Sequence, residues 1–113
     1  MRILVITSGL PKDQLELERR MRNILLAPET KAKCVTFAHK GTTIPQMAEK
    51  AASKRVDKVV IHDTVPPLDA PPMVKAISKK MVQKPGFIHI CTTPVVADAI
   101  TIRSEKELKE VLN

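Results

Sequence analysis

Apolar and polar positions change period several times along the chain, and each change marks an element. Ile3 to Thr7 is a near-continuous apolar run, the pattern of a strand covered on both faces. Gly9 and Pro11 interrupt it, and Asp13 with Glu16 has the capping-box spacing of a helix start. Leu17, Met21, Ile24 and Leu25 then recur at helical spacing, with Arg19 and Arg22 opposite that stripe, until Pro28 ends the helix. Lys33 to Ala38 reads as a second strand. Beyond Gly41, Thr43 caps a second helix, with Gln46 at the box position and Pro45 in the first turn, where a missing N–H costs nothing. Its buried stripe is Ile44, Met47, Ala48, Ala51 and Ala52, which leaves Lys50, Lys54 and Arg55 outside. Val59 to Ile61 is a third strand, flanked by Asp57 and Asp63.

Pro66, Pro67, Pro71 and Pro72 stiffen the next loop. Val74, Ile77, Ser78, Met81 and Val82 then repeat as a third helical stripe, with Lys75, Lys79 and Lys80 on the other side and Lys84 just beyond. Pro85-Gly86 turns into a strand from Phe87 to Cys91, Ala97 to Arg103 reads as a fifth, and Ser104 with Glu107 caps a terminal helix bearing Leu108, Val111 and Leu112. The predicted order is β-α-β-α-β-α-β-β-α, an α/β fold with a mixed, mostly parallel sheet. The last two strands, close in sequence, are expected to pair antiparallel. Helices on one face or on both fit equally.

Composition narrows the picture. The 113 residues fit one domain, 1–113, and the apolar and charged fractions, 43% and 27%, are those of a globular chain. Trp and Tyr are absent and only Phe37 and Phe87 are aromatic, so stacking platforms for single-stranded nucleic acid are missing. Lys and Arg outnumber Asp and Glu by 19 to 12, a formal charge of +7 that favours polyanionic partners. Cys34 and Cys91 fall in apolar strand-like runs, where a thiol packs as a small hydrophobe, and their spacing is no zinc pattern. The first apolar run is too short for a signal peptide and no stretch approaches a membrane span. The expectation is an intracellular protein without membrane contact: cytoplasmic in a prokaryote or archaeon, nucleolar in a eukaryote.

Three constellations carry possible chemistry. The loop Thr7-Ser8-Gly9-Leu10-Pro11 follows a strand and precedes a helix, where phosphates bind in open α/β sheets, but it lacks the glycine pattern of a nucleotide site. His62, His89 and Cys91 come together as metal ligands only if their strands lie side by side, and no fourth ligand is evident. Asp63 beside His62 is a turn-former as readily as an acid or base. No catalytic group, metal or cofactor is therefore expected. Basic helix faces are the stronger feature, because lysines and arginines from three helices, with few acids in the third, suggest a positive surface for phosphates.

Three stretches together resemble the Brix domain of ribosome-biogenesis proteins. Thr7-Ser8 with Pro11 and the helix to Leu25 and Pro28 looks like that family's opening strand, loop and helix. Lys40-Gly41, the helix with Met47-Ala48-Glu49-Lys50-Ala51, and Asp57-Lys58-Val59-Val60-Ile61 resemble its Arg-Gly segment, helix and third strand. Gly86-Phe87-Ile88-His89-Ile90-Cys91, Pro94 and Ala99-Ile100-Thr101-Ile102 are similar to its later strand pair. Gly9 stands where the family has a loop arginine, and Val95-Val96-Ala97-Asp98 where it has a Gly-Pro-Thr turn. The likeness spans about the first of the two similar halves of such a domain, each anticodon-binding-domain-like. It implies a non-enzymatic protein that binds structured RNA, namely ribosomal RNA during ribosome assembly, with a second copy or ribosome-assembly proteins as further partners. Thr7, Ser8, Lys12, Arg19, Arg22, Lys40, Lys54, Arg55, Lys79 and Lys80 are the expected RNA contacts. The alternatives are a protein-binding module presenting the helix Met73 to Val82, or a small nucleotide-handling or phosphate-binding enzyme using Thr7 to Pro11 with His62 and Asp63.

Overall fold

The computed structural model describes residues 1–112. Strands β1 (Arg2–Ile6), β2 (Cys34–Ala38), β3 (Lys58–Ile61), β4 (Gly86–Ile90) and β5 (Ala99–Ile102) form a sheet in the order β2-β1-β3-β4-β5. Helices α1 (Gln14–Leu25), α2 (Ile44–Lys54), α3 (Ala70–Lys80) and α4 (Leu108–Leu112) follow β1, β2, β3 and β5, with short 3-10 turns leading into α1, α3 and α4. The fold is α/β, as the alternation predicts. It has three layers. Leu4, Ile6, Val59, Ile61 and Phe87 pack under α2 and α3, while Ile3, Val5, Val60, Ile88 and Ile90 pack under α1 and α4. β1 lies inside the sheet between β2 and β3, so Ile3 to Ile6 have no exposed surface on either face.

The sheet is wholly parallel, which corrects the mixed sheet and the antiparallel last pair expected from the sequence. The reason is reach. An extended chain covers ~3.3 Å per residue, so the connection 91–98 is long enough to run back along a five-residue strand without a helix. Val95 and Val96 pack against the α2/α3 cluster on the way, covering the sheet where a crossover helix otherwise would.

Local signals set several boundaries. The α2 cap forms as read: Gln46 N–H donates to Thr43 Oγ1 at 3.2 Å, and Thr43 N–H donates to Gln46 Oε1 at 2.9 Å. Thr43→Ala should therefore lower stability by about 1 kcal/mol, measurable in urea unfolding. Gly41 takes a left-handed φ of 100° just before this cap. Asp13 does not cap α1, because the turn Pro11–Asp13 runs directly into the helix and holds Asp13 near helical angles; Glu16 pairs with Arg19 instead. α3 stops at Lys80, not Val82. Met81 is already extended (φ −87°, ψ 137°) as the chain turns toward β4, and Val82 is fully exposed. Cys34 is exposed rather than buried, since it opens the edge strand β2.

Candidate functional site

A parallel sheet with helical crossovers has two unlike ends. Strands begin at one, where the helices finish, and end at the other, where the helices begin. Register places Arg2 beside Cys34, Ile3 beside Lys58, and Lys58 beside Gly86, so the strand starts form one line. α2 delivers Lys54 and Arg55 to this end, and α3 delivers Lys80. Between them lies a groove of about 760 Å³ lined by Arg55, Lys58, Lys80 and Lys84, with Asp57 as its acid and Val56, Met81 and Val82 as apolar wall. Lys58 lies over Gly86, where a Cβ would meet its Nζ at 2.8 Å, so the glycine leaves room for the ammonium at the groove floor. Lys79, Lys75 and Lys84 line a neighbouring groove of about 520 Å³ on the other flank of α3. Lys80 is held by Glu49 at 3.1 Å and Lys84 by Asp98 at 3.2 Å, both exposed pairs that a phosphate can displace at little cost. Arg55 adopts a left-handed φ of 52°, and Lys31, before β2 at the same end, one of 59°. Both are positions where glycine is the usual occupant, and here both carry long cations.

The opposite end holds a crevice of about 390 Å³ between the loops after β1 and β3. In the order β2-β1-β3 this is where successive connections leave in opposite directions, the place at which open sheets gather ligands. His62 is buried there. Its Nε2 lies 2.6 Å from Glu105 Oε2, and Arg20 holds the same carboxylate through Nε at 2.6 Å and Nη2 at 3.0 Å. The Arg20 hydrogen bond pulls the Glu105 pKa below its usual 4.5, helped by His62 and opposed by burial. Glu105 in turn raises the Arg20 pKa. A second chain of contacts runs beside it: Thr7 Oγ1 lies 2.7 Å from His39 Nδ1, and His39 Nε2 lies 3.0 Å from Glu18. Burial acts to raise the Glu18 pKa, yet the bonds from His39 and Arg22 outweigh it and hold it low. Arg22 also sits 5.1 Å over the Phe37 ring, which stacks on His39.

The ten residues expected to touch RNA therefore divide. Lys54, Arg55, Lys79 and Lys80 reach the strand-start end, while Thr7, Ser8, Lys12 and Lys40 lie at the far end. Thr7 is buried with its hydroxyl beside His39, and Ser8 N–H donates to Thr64 Oγ1. Arg19 and Arg22 are paired with Glu16 and Glu18 along α1. Lys58 and Lys84 complete the groove. Lys58 lay hidden in an apolar strand, and Lys84 stood beyond the third helix. His62 and His89 face opposite sides of the sheet, because His89 shares the Phe87 face while His62 reaches Arg20 and Glu105 under α1 and α4. The grouping His62, His89, Cys91 does not form. Met73, Val74 and Ile77 are buried against the sheet, so the third helix offers no apolar face to a partner. Around the Thr7 to Pro11 loop, Asp13, Glu16, Asp63 and Glu105 line the crevice against Arg20 alone, a field that repels phosphate.

No family model matches the chain, and no curated protein or solved structure matches it. No helix among the described residues is long and apolar enough to cross a membrane.

Proposed function

We propose that the protein binds structured RNA through the groove at the strand-start end, as part of ribosome assembly. One observation carries the binding surface: Arg55, Lys58, Lys80 and Lys84, from the ends of α2 and α3, from β3 and from the approach to β4, line one groove with Asp57 as the opposing acid. Contacts of this kind go to phosphates and read shape rather than sequence. The scarcity of aromatic rings favours a folded RNA over an unstacked strand. The ribosomal setting rests on the Brix resemblance of the sequence.

Replacing Arg55 and Lys80 together by glutamate should weaken binding to a structured RNA about tenfold or more at physiological salt, and flatten the log–log salt slope by about 1.5. The same exchange at Lys12 and Lys40 should change it far less. Fluorescence anisotropy across a salt series measures both, and equal losses from the two pairs would remove the groove from the reading.

A further inference from the structure

Thr64 N–H donates to His62 Nδ1 at 3.2 Å, which makes Nδ1 the acceptor and places the ring hydrogen on Nε2, where Glu105 receives it at 2.6 Å. Asp63 Oδ1 nevertheless lies 3.0 Å from that same Nδ1. The single Nδ1 lone pair, which accepts Thr64 N–H, thus stands beside a carboxylate oxygen with no ring hydrogen between them, and an ion bound there takes that lone pair over from the N–H. Such a nitrogen–oxygen pair is repulsive until a proton or a metal cation enters. The spacing has a second meaning, because neighbouring ligands on one ion with ~2.1 Å bonds stand ~3.0 Å apart at right angles and ~3.4 Å apart in a tetrahedron, so small side-chain movements fit this pair to either geometry. Thr64 Oγ1 is also 3.1 Å from Nδ1.

We propose that the crevice binds a divalent transition-metal ion through His62 Nδ1 and Asp63 Oδ1, with the Thr64 hydroxyl as a third ligand. Glu105 sits on the other edge of the ring, so it is a positioning residue: it accepts from Nε2–H, fixes the tautomer and makes Nδ1 a better donor to the ion. Arg20 holds Glu105 in that place with its two bonds. Asp63 is 58% exposed, so the ion has an open path and keeps sites for water. Asp13 and Glu16 line the same crevice and favour a cation. An imidazole with a carboxylate suits Zn²⁺ or Mn²⁺ better than Mg²⁺. The ion lies at the opposite end from the RNA groove, so this inference stands whether or not RNA binds.

The full chain carrying Cys34→Ser, which removes the exposed thiol as a competing ligand, is titrated with Zn²⁺ by calorimetry. One ion per chain is expected, with Mg²⁺ giving no heat. Asp63→Asn should weaken Zn²⁺ at least about tenfold, and Glu105→Gln by about 10- to 100-fold, with circular dichroism reporting the fold of each. Glu105→Gln leaves both proposed ligands that carry nitrogen or charge in place, so its effect separates positioning from ligation. In NMR spectra of the Cys34→Ser chain, added Mn²⁺ should broaden the His62 ring before those of His39 and His89, a readout that needs no further variant. Absence of Zn²⁺ uptake, unchanged affinity in folded Asp63→Asn, or broadening centred on His39 overturns the proposal.

Discussion

Moving the protein from neutral into mildly acidic solution should lower its stability, and His89→Leu should remove much of that loss. His89 has no exposed surface, its Nε2 finds no hydrogen-bond partner, and its Nδ1 has only the weak contact with Cys91 Sγ at 3.5 Å. Burial lowers its pKa from the ordinary 6.5. The unfolded chain therefore takes up this proton at a higher pH than the folded one. The stabilising contribution is complete above pH 6.5 and drains away as the pH falls from there toward the folded value. Leucine removes both the proton linkage and the orphaned nitrogen. At neutral pH, where burying an unsatisfied polar group costs about 1–3 kcal/mol, the variant should be the more stable protein. Urea unfolding at a series of pH values tests this; a His89→Leu protein with the wild-type slope through the mildly acidic range would refute it.

The second large effect belongs to Glu105. Alanine there strips acceptors from Arg20 and His62 together, and it should cost about 2 kcal/mol, less than a fully buried pair because Arg20 is partly in solvent. Glutamine keeps an acceptor without the charge and should lose less. The folded carboxylate titrates below its usual 4.5, so its contribution is present above that pH and is lost as the pH falls through the lowered value. The Glu105→Ala protein should therefore show a shallower decline in strong acid than the wild type. A loss under ~0.5 kcal/mol at neutral pH would mean that solvent replaces these bonds freely.

What the sequence reveals depends on range. Thr43, Pro45 and Gln46 announce α2 because all the atoms of that cap lie within one turn. The apolar stripes of α1 and α2 place their buried sides correctly for the same reason. Strand direction is less legible: a short link suggests a hairpin, and only the packing of Val95 and Val96 shows how 91–98 returns along the sheet. Glu105 meets Arg20 across 85 positions, and nothing local signals that contact. A hint did exist, since Arg20 stands three residues after Leu17 and thus about 60° from the buried stripe, turned partly toward the sheet. The split of the cations also follows from topology. Once all strands are parallel, the tails of α2 and α3 must return to the strand starts, away from Lys12 and Lys40.

Charge is thus unevenly spread along the strand axis, with lysines and arginines around one groove and several carboxylates around the crevice at the other pole, where Lys12, Arg20 and Lys40 only partly offset them. Such a molecule carries a permanent dipole moment. Near a highly charged polymer it feels a torque before it touches anything, and it arrives already turned with its cationic pole leading.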